Sequence, residues 1–152
     1  MTLRIYLDSC TYNRPYDDLS QMTVSLEAQA KLFVQGKIKN GEYDLVTSEI
    51  LRKEVDDCPV AYRKKLIYDF INDNSSIHVG PANNDRVDEM AKTITATGVK
   101  YKDACHVASA IIAKCDFLIT TDKRLLKYIS EKIKLVNPIQ FISEMEDDSN
   151  DE

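Results

Sequence analysis

Apolar residues along this chain fall into short runs and into longer stretches with helical spacing. The short runs are bounded by polar or turn-forming residues and predict five strands, at residues 5–7, 43–47, 77–79, 117–120 and 134–136. The longer stretches predict helices at about 22–35, from 49 to a break at 57–59, at 60–71, from 84 or 85 to 98, at 102–114, at 123–131 and from 138 onward. A loop that contains Asn13, Arg14 and Pro15 precedes the first long helix. This alternation predicts an α/β fold, a three-layer sandwich with a mostly parallel central sheet flanked by helices.

Four acidic residues stand where predicted strands end or on a neighbouring helix: Asp8, Glu54, Asp103 and Asp122. Because the carboxyl ends of parallel strands meet at one edge of a sheet, we expect these side chains to converge. Taken singly, Asp103 is explained by the dipole of its helix and Asp122 by capping the next helix. Asp8 has no such structural need. The joint placement therefore favours a functional site.

Two positions of the site have alternatives. Glu49 lies in the first turn after the cap Ser48, where it complements the helix dipole, so we prefer Glu54 and keep Glu49 as the alternative. His106 follows Asp103 by one turn and shares its face, which suits a ligand or a base. The simpler interpretation, which we favour, is a helix histidine packed near the sheet.

Carboxylates with few histidines select a hard cation, Mg²⁺ or Mn²⁺, rather than zinc. The four cysteines show neither the CxxC spacing of a zinc site nor the density of a disulfide scaffold, and we expect them to be reduced and mostly buried. A carboxylate-bound hard cation favours phosphate chemistry.

Composition and charge limit the classes of protein to which this chain can belong. The 152 residues suit one domain, and no apolar stretch is long enough to span a bilayer, so we expect a cytoplasmic protein without membrane contact. The net charge of -5 is concentrated at the end of the chain, where residues 144–152 hold six acids and no base. We expect this acidic tail to be disordered. The rest of the chain is close to neutral and contains basic clusters that suit phosphate contacts.

Four segments together resemble a PIN domain, the fold of many metal-dependent ribonucleases and of the toxins of bacterial toxin-antitoxin pairs. They are Leu7-Asp-Ser-Cys10, Ser48-Glu-Ile-Leu-Arg-Lys-Glu54, Asp103-Ala-Cys-His-Val-Ala-Ser-Ala110 and Ile119-Thr-Thr-Asp122. The order, spacing and strand-helix context of the four carry the resemblance, which covers about residues 3–142. It implies a PIN-like nuclease domain at residues 1–143, followed by the acidic tail at 144–152.

The resemblance also implies the chemistry. Asp8, Glu54, Asp103 and Asp122 are the implied catalytic and metal-binding quartet, with Ser9, Thr120 and Thr121 as polar helpers. The implied activity is Mg²⁺- or Mn²⁺-dependent cleavage of RNA, with an antitoxin protein as a partner and a homodimer as the assembly. Candidates for contacts with the RNA are Asn13, Arg14, Lys102, Lys123 and Arg124.

Two alternatives come from other classes of protein. A receiver-like phosphoacceptor also places acids at strand ends around Mg²⁺, but it needs an acidic pair after the first strand, where this chain has Asp8 and Ser9. A non-catalytic PIN-like module would keep the fold and bind RNA or protein.

Overall fold

A five-stranded sheet forms the centre of the molecule. The computed structural model describes residues 2–150 and the side chains of residues 2–148. The strands are β1 (Leu3–Leu7), β2 (Tyr43–Ser48), β3 (Ser75–Val79), β4 (Phe117–Ile119) and β5 (Lys134–Val136). All neighbouring pairs are parallel, in the order β3-β2-β1-β4-β5. The predicted α/β sandwich is confirmed.

Helices cover both faces of the sheet. They are α1 (Ser9–Asn13), α2 (Met22–Lys39), α3 (Glu49–Asp56), α4 (Ala61–Asn74), α5 (Asn84–Thr95), α6 (Tyr101–Ile112) and α7 (Pro138–Asn150). Successive side chains of β1 enter opposite layers: Ile5 and Leu7 pack with α2, α4 and α7, while Tyr6 packs with α5 and α6. The central strand β1 is covered on both sides, and its residues 5–7 are fully buried and apolar, whereas the edge strand β3 exposes Ser76 and His78.

The strand order creates one crevice that is suited to a site. From β1 the chain adds β2 and β3 on one side and then crosses to add β4 and β5 on the other. The topological switch point therefore lies beyond the carboxyl ends of β1 and β4, where open α/β sheets bind their ligands. A receiver-type sheet has the order 2-1-3-4-5, so this order excludes the receiver alternative.

Three segments differ from the prediction. The loop before α2 contains the short helix α1, because Asp8 caps it through the amide of Thr11. The helix predicted at 123–131 is only a 3-10 turn at Leu125–Lys127. This prediction was wrong because Leu125 and Ile133 must both enter the core while Ile129 between them is 89% exposed, a pattern that a continuous helix does not satisfy here.

The acidic tail is the third difference. The segment predicted to be disordered, 144–152, is helical as far as Asn150, and residues 151 and 152 lie outside the described part. Phe141 is buried, Met145 packs against the same cluster, and Lys134 forms an ion pair with Glu144. These contacts anchor α7 despite its charge.

Two further observations bear on the expectations from composition. None of the helices between residues 2 and 150 is long and apolar enough to cross a membrane. All four cysteines are free; Cys105 and Cys115 are buried, Cys58 is half-buried and Cys10 is exposed.

Candidate active site at the carboxyl edge of the sheet

Asp8 is a buried carboxylate at the end of β1. Its side chain is 1% exposed. Oδ1 accepts hydrogen bonds from the amide and the hydroxyl of Thr11, each at 3.0 Å, and Oδ2 accepts one from the hydroxyl of Thr120 at 2.5 Å. Burial raises the pKa of Asp8, against the opposing effect of these hydrogen bonds. The carboxylate is therefore held in one orientation at the switch point.

Glu54 approaches this edge from α3. Its Oε2 accepts a hydrogen bond from Ser9 Oγ at 2.5 Å, and its Oε1 is bonded to His106 Nε2 at 2.6 Å. Burial alone would raise the pKa of Glu54, but the hydrogen bonds from His106 and Ser9 and the charge of Lys102 bring it below its ordinary value. This carboxylate is consequently ionised and fixed at both oxygens.

Glu49, the alternative to Glu54, faces another part of the molecule. Its carboxylate lies 3.9 Å from His78 Nε2, on the side of β3. It lines a separate cleft with Lys53 and Tyr101. The structure therefore brings Glu54, and not Glu49, next to Ser9.

Asp103 lies in the first turn of α6 and is half-buried. Its pKa is raised first by burial and then by the charges of Asp122, Asp8 and Glu54. Like charges influence one another in this way only at short range, so the other three acids lie within electrostatic reach of Asp103. Sequence reasoning placed these four residues together, and the structure does the same.

The thiol of Cys10 gives a second view of the same convergence. Its pKa is raised to about 12, first by the surrounding protein atoms and then by the charges of Asp8, Asp122, Asp103 and Glu54. The charges of all four carboxylates thus act on the pKa of this one thiol.

Asp122 follows β4, where it caps the next turn and also lines a cleft. Its Oδ1 accepts from the amides of Arg124 at 2.8 Å and Leu125 at 3.4 Å, which is the capping role that the sequence indicates. With Asp103 it also lines an open cleft of ≈ 570 Å³. Lys100, Arg124 and Lys127 line the same cleft, so bases surround the two acids.

The two predicted threonine helpers differ in their bonding. Thr120 Oγ1 donates to Asp8 and accepts from the amide of Asp122 at 3.1 Å, so it ties the two acids together. The hydroxyl of Thr121 is buried and has no hydrogen-bond partner among the described residues.

The predicted RNA-contacting residues occupy different surroundings. Arg14 already forms ion pairs with Asp17 at 3.0 Å and with Glu27 at 3.4 Å. The side-chain amide of Asn13 donates a hydrogen bond to the backbone carbonyl of Ser9. Lys102 and Lys123 act electrostatically on Glu54 and Glu27 respectively. Of the five, Arg124 is the one that lines the cleft beside Asp103 and Asp122.

His106 is the residue whose importance sequence reasoning underestimated. It is 1% exposed, as expected for a packed histidine, but both ring nitrogens are bonded, Nε2 to Glu54 and Nδ1 to Tyr6 Oη at 2.5 Å. Its position one turn after Asp103 was the available signal. Tyr6 gave none, because it has the pattern of an ordinary strand residue.

The donor set fits a hard divalent cation by its chemistry. All four acids offer carboxylate oxygens, which Mg²⁺ and Mn²⁺ prefer, and their mutual repulsion favours a counter-charge. Between residues 2 and 150, no group of three or more His, Cys, Asp or Glu side chains has the arrangement needed to hold a metal ion. A cation bound here would therefore need Asp103 or Asp122 to move toward Asp8 and Glu54, whose carboxylates are held by hydrogen bonds.

Comparisons with known proteins support the fold. No protein-family model matches the chain, and no curated protein matches it in sequence. The solved structures that it resembles include VapBC2 from Rickettsia felis bound to a DNA fragment from their promoter, with 14% identity, a TM-score of 0.54, and coverage of 89% of this chain and 98% of that one. FitAcB from Neisseria gonorrhoeae matches with 13% identity, a TM-score of 0.52, and coverage of 89% and 98%. FitAB bound to an IR36 DNA fragment matches with 16% identity, a TM-score of 0.51, and coverage of 88% and 94%. The sandwich is therefore PIN-like.

Proposed function

We propose that this protein is a Mg²⁺- or Mn²⁺-dependent endoribonuclease that hydrolyses RNA phosphodiester bonds in the cytoplasm, as the toxin of a toxin-antitoxin pair. The observation that carries the proposal is the convergence of four carboxylates at the switch point of a PIN-like sheet. The pKa of Asp103 agrees with this convergence, since it is raised first by burial and then by the charges of the other three acids.

The residues have distinct roles in this proposal. Asp8, Glu54, Asp103 and Asp122 hold the cation, which when bound supplies charge for the scissile phosphate and lowers the pKa of a water nucleophile. Thr120 fixes the orientation of Asp8, and Ser9 that of Glu54. The buried hydroxyl of Thr121 is a spare donor beside Asp122.

Basic side chains around the acids suit the polyanionic substrate. Lys100, Arg124 and Lys127 line the cleft beside Asp103 and Asp122, and the charge of Lys102 acts on Glu54. Contacts of this kind position the backbone of RNA without reading its sequence. We extend the role to Lys123, Asn13 and Arg14.

The similar structures support the biological setting. VapBC and FitAB are toxin-antitoxin complexes, and the chain covers nearly the whole of each matched chain. An antitoxin partner is accordingly part of the proposal. The homodimer that the family resemblance implies is proposed with it.

Replacing one acid tests the function. We expect Asp103→Asn to reduce metal-dependent cleavage of a fluorescent single-stranded RNA by at least about 100-fold, because one of the carboxylates proposed to hold the cation is lost. Asp85→Asn is the matched control, since Asp85 also lies in the first turn of a helix. Cleavage by Asp103→Asn at the wild-type rate would show that the site is assigned wrongly.

The same variant has a second readout. Without metal, Asp103→Asn should melt at a higher temperature than wild type, because the raised pKa of Asp103 means that its charge is unfavourable in the folded state. A carboxyl whose folded pKa is raised stabilises the fold at low pH and loses that contribution as pH rises through the folded pKa. The difference in Tm should therefore be present at pH 8 and shrink as the carboxyl becomes protonated, as scanning calorimetry in EDTA will show.

A non-catalytic PIN-like module is the second candidate. It is favoured by the absence, between residues 2 and 150, of a ready arrangement of metal ligands. Titration of the wild-type protein with Mn²⁺ in a calorimeter separates the two: heat of binding supports the nuclease, and no binding at millimolar metal supports the module.

A further inference from the structure

A chain of buried hydrogen bonds ends on Glu54. Ser48 Oγ lies 2.6 Å from Tyr6 Oη, Tyr6 Oη lies 2.5 Å from His106 Nδ1, and His106 Nε2 lies 2.6 Å from Glu54 Oε1. The first three side chains are at most 1% exposed. We call Ser48, Tyr6 and His106 the relay.

Chemistry fixes the direction of the bond between His106 and Glu54. An ionised carboxylate can only accept hydrogen bonds, so Nε2 of His106 must carry the proton that it shares with Glu54. At the other end, the amide of Leu51 donates to Ser48 Oγ, which leaves the hydroxyl of Ser48 free to donate to Tyr6. Tyr6 can then donate to Nδ1, so that every bond of the chain has a donor and an acceptor.

The phenol of Tyr6 is suited to donating a hydrogen bond to His106. Burial raises its pKa well above the ordinary value, so the hydroxyl remains a donor throughout the neutral range. The ring of Tyr6 also packs edge-on against His106, with ring centroids 5.6 Å apart. The imidazole is thus held by packing and by a hydrogen bond.

The relay joins the elements that carry three of the four acids. Tyr6 precedes Asp8 by two residues on β1, Ser48 is the cap of α3, and His106 follows Asp103 by one turn of α6. By its bond to Glu54, His106 therefore links α6, which carries Asp103, to the acid on α3.

We infer that His106 is a positioning residue, which holds Glu54 for divalent-cation binding and is itself oriented by Tyr6 and Ser48. This rests on the proposed function. Each oxygen of Glu54 accepts one hydrogen bond, from Ser9 or from His106, and keeps a second lone pair for a cation. Partners of this kind behind metal ligands set ligand orientation and affinity.

Packing alone does not explain the histidine. Its helix neighbours Ala104, Val107 and Ala108 are fully buried and apolar, and an apolar residue at 106 would fill the space without burying two polar nitrogens. Both nitrogens are bonded to side chains from other elements, which is the arrangement that orientation requires.

A pair of substitutions separates positioning from packing. Asn at position 106 places an amide where Nδ1 lies, can bond to Tyr6, and is too short for Glu54; Gln extends an N–H to the place of Nε2. We expect His106→Asn to weaken Mn²⁺ binding by roughly 10-fold to 100-fold in calorimetry, and His106→Gln to stay within about threefold of wild type. Both variants lose the imidazole, so a packing role predicts equal effects.

A second pair tests the far end of the relay and does not depend on the folding of the His106 variants. Tyr6→Phe removes the hydroxyl that orients His106 and should weaken Mn²⁺ binding in the same direction, by a smaller factor. Tyr12→Phe is the matched control, since Tyr12 is also fully buried but its hydroxyl has no hydrogen-bond partner in the described part of the chain. It should leave Mn²⁺ binding unchanged.

The outcomes distinguish the two levels of the proposal. If the wild-type protein binds no Mn²⁺ at millimolar concentration, the proposed metal site fails, and the role of His106 fails with it. If wild type binds and His106→Asn binds equally well, only the positioning role is overturned. Nitrogen NMR of the metal-free wild type adds a test that needs no cation: a proton on Nε2 with Nδ1 as the acceptor is expected, and an imidazole without a proton on Nε2 overturns the inference.

Discussion

At the scale of single residues, Lys31 shows how the fold tolerates a charge in an unfavourable place. It is 6% exposed, and its ammonium lies 5.4 Å from the ring centroid of Tyr12 and 5.9 Å from that of Phe70. Its described hydrogen bond is to the neutral side chain of Gln35. Burial, and then the charge of Lys39, lower the pKa of Lys31 to about 8. Contacts with two aromatic faces offset part of the cost of burial.

Replacement of this lysine by methionine should therefore stabilise the protein at neutral pH. The folded state binds fewer protons than the unfolded state between pH 8 and the unfolded value, so wild-type stability should rise with pH across that window. Lys31→Met should remove this rise and add about 1 to 3 kcal/mol to the free energy of unfolding at pH 7. Urea denaturation at pH 7 and 9.5 measures both effects. Lys37→Met, an exposed position on the same helix, should keep the wild-type dependence on pH.

At the scale of elements, local patterns predicted the five strands, while helix ends depended on what each helix packs against. The helix predicted at about 22–35 continues to Lys39, because Ile38 is 4% exposed and belongs to the core. Residues 123–131 have helical spacing but make only one 3-10 turn, since the connection from β4 to β5 is governed by Leu125 and Ile133. Burial thus overrides a weak helical preference.

Two glycines should respond oppositely to alanine. Gly36 lies inside α2 with open space where the methyl group of an alanine would lie, so Gly36→Ala should stabilise the protein by about 0.5 to 1 kcal/mol. Gly98 has φ +105°, a conformation that favours glycine, so Gly98→Ala should destabilise by about 1 kcal/mol or more. Urea denaturation of both variants checks the signs. Equal effects would contradict the backbone assignment at Gly98.

At the scale of the whole molecule, the location of the charged side chains is more informative than the net charge. The acidic residues of α7 lie at the end of the chain, where Glu144 pairs with Lys134. The cleft beside Asp103 and Asp122 is instead lined by Lys100, Arg124 and Lys127. A protein with a net charge of -5 can therefore present basic side chains around this cleft, where the proposed RNA substrate would bind.

The salt dependence of RNA binding tests whether these basic residues contact RNA. In an Asp103→Asn background, which prevents cleavage, Arg124→Ala should weaken RNA binding and lower the slope of log affinity against log salt by about one unit. Fluorescence anisotropy at increasing salt gives the slope. Lys65→Ala removes the same charge from α4, where Lys65 pairs with Asp69 outside the cleft, and should leave the slope unchanged. If both variants behave alike, the cleft is not where RNA binds.

The sequence by itself determined the strands and the parallel α/β class, and it predicted which four acids come together, because the spacing of apolar residues and the acids at strand ends are local features. It could not decide between Glu49 and Glu54, since both lie on α3 and only the packing of α3 shows which one reaches Ser9. Tertiary structure alone placed Tyr6 behind His106 and Glu54, joining residues that are 100 and 52 positions apart in the chain. Hydrogen bonds across such separations depend on how helices and strands pack together, which a local sequence pattern does not predict.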